Sequence, residues 1–410
     1  MTTTARPPRP VARGLLLLGP AFVAAIAYVD PGNVAANLTG GARFGYLLVW
    51  VLVVANLMAG LVQYQSAKLG LVSGRTMPEL LGERLRPTAR RLYWVQAELV
   101  AAATDLAEVI GGAIALSLLF GIPLFVGGLI VGAVSMGLLA LQSRYGQRSF
   151  ESVIIGLLAI IAIGFLAGLF ITPPDGIAVI NGLVPRFAGA DSLLVSAGML
   201  GATMMPHAIY VHSALARDRH GHVTAPDARR GILRATRWDV GIALGIAGIV
   251  NIGMLLLAAV NLRGSAGTDT IAGAHAAIGA ALGPGIALVF AIGLLASGLA
   301  STSVGSYAGA TIMDGLLKRR IPVFLRRLIT LVPAVLLLAV GIDPTWALIV
   351  SQVFLSFGIP FALVPLVRLT NDPEVMGEQV NRRPMRWGLV LIVLLVVTLN
   401  LALVVLTLIG

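Results

Sequence analysis

Eleven apolar runs, most of them about 20 residues or longer, constrain this chain more than any single motif, because that length matches a bilayer core of about 30 Å. They fall at 14–40, 45–72, 90–119, 122–141, 150–172, 192–215, 238–261, 284–313, 322–341, 345–367 and 386–409. Backbone polar groups in hydrocarbon must find partners within their own segment, so the runs read as helices. Only 11% of the 410 residues are charged and 58% are hydrophobic, whereas soluble domains carry about a quarter charged residues. The expectation is an all-α polytopic membrane protein with no separate soluble domain. Residues 271–283 are apolar but too short to span and read as a helix lying in an outer loop. The chain has no Cys, which excludes disulfides, thiolate metal sites and Fe–S clusters.

The net charge of +11 invites a nucleic-acid reading, but its placement argues for topology. Of the 29 Lys and Arg, only Arg43, Arg186 and Arg263 fall in one set of loops. The others cluster on the opposite side, as at Arg84 to Arg91, Arg217 to Arg230, Lys318 to Arg320 and Arg382 to Arg386. The positive-inside rule then puts the N-terminus in the cytoplasm and the C-terminus outside, in the cell membrane. No nucleic-acid partner is expected. Arg13, the apolar stretch after it and Ala25-Ile26-Ala27 also resemble a signal peptide; the charge alternation needs no cleavage.

Two runs are broken. In the first, Asp30-Pro31-Gly32-Asn33 puts a carboxylate and an amide at membrane depth, where Pro31 removes a donor and Gly32 permits non-helical backbone. In the second, Ala202-Thr203-Met204-Met205 precedes Pro206 and His207. Paired interruptions in corresponding halves point to a secondary-transporter site. Spans 1–5 and 6–10 would be inverted copies, with span 11 added. The expected units are a tail at 1–12, a first repeat at 13–172, a second at 173–369 and a loop with the last span at 370–410.

The half-helix ending near Ala27 offers free carbonyls and a negative dipole end. Asp30 adds a charge, Asn33 an amide oxygen, and the second break an Ala202 carbonyl and the Met205 thioether. A plainer reading makes Asp30 a cap for the second half-helix. Mixed oxygen and sulfur ligation favours Mn²⁺, Fe²⁺, Co²⁺, Zn²⁺ or Cd²⁺ over Mg²⁺ and Ca²⁺. In span 3, Glu98, Asp105 and Glu108 form one carboxylate stripe. Either they relay protons or they pair with Arg326 and Arg327, and those arginines alternatively mark only the inner surface. His207 and His212 read as polar-path or proton-handling groups. Gln352 reads as an interhelical hydrogen-bonder or a ligand of one state, Asn251 as a weaker case of the same, and Asp239 as an interfacial charge. No nucleotide-binding glycine loop is present.

The two breaks, the Ala-Thr-Asp105-Leu-Ala-Glu108 run, Gln352 and the eleven-span layout resemble the Nramp family, in its bacterial MntH-like branch, over nearly the whole chain. The resemblance implies a LeuT-like fold with spans 1 and 6 unwound mid-membrane, and proton-coupled import of Mn²⁺ or Fe²⁺ by alternating access. It implies metal ligation by Asp30, Asn33 and Met205, with Ala27 or Ala202 carbonyls and Gln352 joining in particular states. It implies a proton pathway through Asp30, Asp105, Glu108, Glu98, His207, Arg326 and Arg327. No enzyme activity and no cofactor are expected; the partners are metal ions, protons and lipid. A monomer is expected to suffice, with oligomeric state open. A sodium-coupled amino-acid transporter, a cation channel and a non-transporting scaffold remain as alternatives.

Overall fold

The computed structural model describes residues 19–221, 223, 225–264, 267, 268, 270–318 and 323–409. The tail at 1–12, Arg13 and the opening turn of the first run, Arg319 and Arg320 lie outside them. Among the described residues the chain is almost entirely helical, with no strand.

Helix α1 (Pro20–Ile26) is followed by one 3-10 turn at Ala27–Val29 and then by α2 (Pro31–Phe44). Next come α3 (Val49–Ser73), the short α4 (Met77–Arg84), α5 (Pro87–Phe120), α6 (Leu124–Tyr145) and α7 (Gln147–Leu166). After α8 (Gly176–Asn181), the second interrupted run gives α9 (Ala190–Thr203) and α10 (Pro206–His220). The remainder is α11 (Pro226–Asn261), α12 (Ile271–Leu282), α13 (Pro284–Leu317), α14 (Val323–Val340), α15 (Pro344–Thr370), α16 (Pro373–Met376) and α17 (Arg383–Ile409).

Helices thus occupy every predicted apolar run. Among the described residues, eight are long and apolar enough to cross a membrane by length and composition. The other three runs hold the split pair α1 and α2, α6 and α14. Helix α12 has 12 residues, too few to span a bilayer core of about 30 Å.

Proline sets many of the starts. Pro31, Pro87, Pro206 and Pro284 each sit in the first helical turn, where the missing N–H costs nothing and the fixed φ suits the helix. A capping box starts α4: Thr76 Oγ1 accepts the Glu79 N–H, and Glu79 accepts the Thr76 N–H. Helix α13 lies along α5 and α7, α11 along α2 and α3, and α9 along α15. Small residues permit these approaches. A Cβ at Gly298 would meet the Gly112 backbone, and one at Gly164 the Gly293 backbone. In lipid, close packing of this kind substitutes for a hydrophobic drive between helices.

Candidate metal site and its polar surroundings

Each break is made by one local conflict. Asp30 is extended (φ −73°, ψ 169°) and caps α2, while Met205 is extended (φ −65°, ψ 121°) and occupies the cap position of α10. Both precede a proline, which disfavours helix at that position. The unwound carbonyls of the first break do not stay free. Asn251 donates to the Tyr28 carbonyl at 2.6 Å and Ser297 to the Val29 carbonyl at 2.6 Å.

The two breaks meet through Asn33. Its Nδ2 donates to Asp30 Oδ1 at 2.8 Å and to the Ala202 carbonyl at 2.9 Å, with the Ala27 carbonyl at 3.5 Å. Asp30 Oδ1 also accepts the Asn33 backbone N–H at 2.7 Å. Asp30 is therefore a helix cap, as the plainer reading held, but through one oxygen only. Its Oδ2, Asn33 Oδ1 and Gln352 Oε1 are buried without a hydrogen-bond partner. Gln352 lies directly over the first break, because a Cβ on Gly32 would overlap its amide. Met205 is fully buried three residues beyond Ala202. Buried oxygens without partners are costly in a low-dielectric interior. Together with the buried Met205 of the second break, these three oxygens make a donor set suited to a partly dehydrated divalent cation. Among the described residues no group of three or more His, Asp or Glu is placed to hold a metal, so the donors here are of mixed type.

The carboxylates of α5 divide in two. Glu98 pairs with Arg326 at 2.7 Å, and Asp105 with Arg327 through a very short contact. Arg327 is fully buried and also donates to Ser135 Oγ at 3.0 Å. The paired-carboxylate reading thus holds for Glu98 and Asp105, and Arg326 and Arg327 are not surface markers. Glu108 differs. It is fully buried, neither oxygen is hydrogen-bonded, and its carboxylate faces Gly305 of α13. It lies on α5 one helical turn beyond Asp105, whose carboxylate is paired with Arg327. His207 approaches Thr104 Oγ1 at 3.3 Å through Nδ1, and its Nε2 is buried without a partner.

Asp239 departs from expectation. It is buried rather than interfacial, and its two oxygens accept the Gly19 and Ala21 N–H groups at 3.0 Å each. It caps the start of α1 from 218 or more residues away, a partnership that local patterning does not reveal.

Gln63, Asn37 and Tyr28, which the sequence reading passed over, join His212 and Asn251 in a second polar chain. Gln63 Oε1 lies 2.7 Å from His212 Nδ1, and Gln63 Nε2 donates to the Tyr28 hydroxyl at 2.5 Å. Asn37 donates to Asn251 at 2.7 Å. The signal was the one that picked out Gln352: an amide inside an apolar run.

Asp30, Asn33, Met205 and Gln352 are fully buried, and the structure on the two sides of them differs. On one side a cavity of about 740 Å³ is lined by Thr39, Arg43, Thr270, Asp343, Thr345 and Ile349, among others. Ile349 of its lining is about one helical turn before Gln352 on α15. On the other side Tyr93 bonds Tyr210 at 2.7 Å and reaches the Phe361 carbonyl. There too Arg217, near the end of α10, pairs with Glu79 of α4 at 2.7 Å, and Asp218 accepts from Tyr307 at 2.7 Å.

This architecture has counterparts among known proteins. Residues 21–406 match the family described as natural resistance-associated macrophage protein-like, or Nramp. A divalent metal cation transporter MntH of Mycobacterium tuberculosis (strain ATCC 25618 / H37Rv) is 59% identical over 394 residues, covering 96% of this chain and 92% of that protein. A crystal structure of the Eremococcus coleocola manganese transporter, bound to an aromatic bis-isothiourea compound, superposes with a TM-score of 0.87. It is 33% identical and covers 97% of this chain and 88% of its own. The nucleobase-cation-symport-1 transporter Mhp1, only 16% identical, matches with a TM-score of 0.57 over 85% of this chain and 77% of its own. That likeness is one of fold alone, and the fold is LeuT-like.

Proposed function

The chain belongs to the Nramp family, and from that premise we propose that it imports divalent transition metals, Mn²⁺ and/or Fe²⁺, together with protons. Co²⁺, Zn²⁺ and Cd²⁺ are further candidate cargoes. The observation that carries the reading is the convergence of three unpartnered buried oxygens, of Asp30, Asn33 and Gln352, on a break that also presents Met205. The E. coleocola protein is described as a manganese transporter and the mycobacterial relative as a divalent metal cation transporter. Both descriptions agree with that donor chemistry.

In this reading the metal enters through the cavity beside Thr39 and Asp343, loses most of its water and binds Asp30, Asn33, Met205 and the Ala202 or Ala27 carbonyls. Gln352 joins while the outer side is accessible. Asp30 ligates only when deprotonated, so binding and proton release are linked. Glu108, the carboxylate without a basic partner, accepts or relays that proton, with His207 beside it. The Asp105–Arg327 and Glu98–Arg326 pairs then carry it inward. Membrane potential assists by about 2.3 kcal/mol per charge per 100 mV. Spans 1 and 6 gate by moving half-helices, the two five-span repeats are inverted copies with divisions near 172 and 369, and the N-terminus is cytoplasmic. No bond is made or broken, and one chain suffices.

The test is uptake into proteoliposomes at imposed negative potential with a pH dye inside, comparing Mn²⁺, Mg²⁺ and Ca²⁺. Mn²⁺ uptake with acidification, the hard ions excluded, is the expected result. Met205→Ala is expected to keep Mn²⁺ uptake and admit Ca²⁺. Equal Mg²⁺ uptake by the parent, or unchanged exclusion in Met205→Ala, rules out thioether-based selectivity.

A further inference from the structure

A crevice of about 290 Å³ separates α3, α9 and α17, and its walls include Val54, Ser196, Leu200 and Leu399. It lies apart from the metal site and from the cavity above it. Its rim is aromatic: Trp50 and Phe187 meet edge to face with centroids 5.3 Å apart. Trp50 also donates to the Arg186 carbonyl at 3.3 Å, which ties the backbone at Arg186 to the rim. Further along α3 from Trp50, Val54, Leu57 and Leu61 are exposed, so the crevice adjoins an outward apolar face of the kind that meets lipid. The segment leading to it exposes Ile177 at 73%, Ile180 at 67% and Val184 at 54%. Such an apolar run on a short helix beside a Trp is the composition of a segment seated at the headgroup boundary.

Charge selects the occupant. Of the three basic residues at this end, Arg43 is engaged by Asp191 at 3.0 Å and Arg263 packs on Gly45. Arg186 is exposed and forms no ion pair among the described residues, so its charge is available to an anion at the crevice mouth. We propose that the crevice holds one acyl chain of an anionic glycerophospholipid whose phosphate pairs with Arg186. The chain wedges α9, which ends at the second break, against α3 and α17. A lipid of this class therefore braces one of the two half-helices that carry the metal donors.

Acyl-chain bromines quench tryptophan only on contact, and Trp50 is on the rim. The full-length protein is reconstituted in phosphatidylcholine vesicles and titrated with phosphatidylglycerol brominated in its acyl chains. The Trp50 contribution is the parent signal minus that of Trp50→Phe. Expected is saturation at a brominated fraction about threefold below the proportional value, lost in Ser196→Leu, which fills the crevice. In Arg186→Gln, an exposed change that leaves the crevice open, quenching becomes proportional to the brominated fraction. Brominated phosphatidylcholine should give that same proportional response with the parent. The proposal is overturned if phosphatidylglycerol and phosphatidylcholine quench the parent alike, or if Arg186→Gln leaves the midpoint unchanged. It is also overturned if Trp50 is not quenched and light scattering shows a dimer, since a second copy then covers the crevice.

Discussion

Gly32 shows how much a single hydrogen atom decides here. Its missing side chain is the space into which the Gln352 amide fits, so span 10 touches the first break at backbone level. Gly32→Ala is expected to abolish metal uptake in proteoliposomes without unfolding the protein. Gln352→Ala in the same chain should recover part of it by vacating that space. Asp30 acts through two distinct oxygens, one capping α2 and one without a partner. Asp30→Asn keeps a capping oxygen but removes the charge, so helix α2 should persist while metal affinity falls. A loss of more than about tenfold, equivalent to about 1.4 kcal/mol, is expected by calorimetry. An unchanged affinity would remove Asp30 from the coordination shell. At this scale the sequence was informative, because a charge beside a proline in an apolar run has few inexpensive explanations.

Between elements, the ion pairs of α5 and α14 matter most. Arg327 is fully buried against Asp105. Breaking such a pair leaves an uncompensated charge, at a cost of about 3–5 kcal/mol. Arg327→Met should therefore lower the unfolding midpoint in detergent markedly. Asp105→Asn added to Arg327→Met should restore much of it, because no charge then remains unpaired. Equal destabilisation in the single and double variants would mean that packing, not charge, is at stake. These pairings also mark where the sequence stopped being legible. The carboxylate stripe was visible at i and i+3 spacing, but which carboxylates have arginines depends on how α14 docks on α5. The same limit explains Asp239: a residue 218 positions from its partner has no local signature. Gln63 was legible in principle, being an amide in an apolar run, and only its partners Tyr28 and His212 required the fold.

For the molecule as a whole, the difference between the two sides of the site sets the expected resting state. A cavity whose lining includes Ile349, about one helical turn before Gln352, lies on one side, while Tyr93, Tyr210, Glu79 and Arg217 are bonded across the other. Glu79→Gln should loosen the end of α10 and shift the population toward the opposite access. The chain has no native Cys, so a single cysteine introduced at Ser213 would report that shift by alkylation without background. Faster labelling in Glu79→Gln is expected, and equal rates would show that this ion pair does not hold the closed side. Asp239 extends the point. The Gly19 and Ala21 amides are held by one carboxylate on another span, so their protons exchange with solvent deuterium only when α1 lets go. The isotope uptake of two backbone positions would thus become a clock for the proposed movement of α1, readable with no metal, no label and no transport.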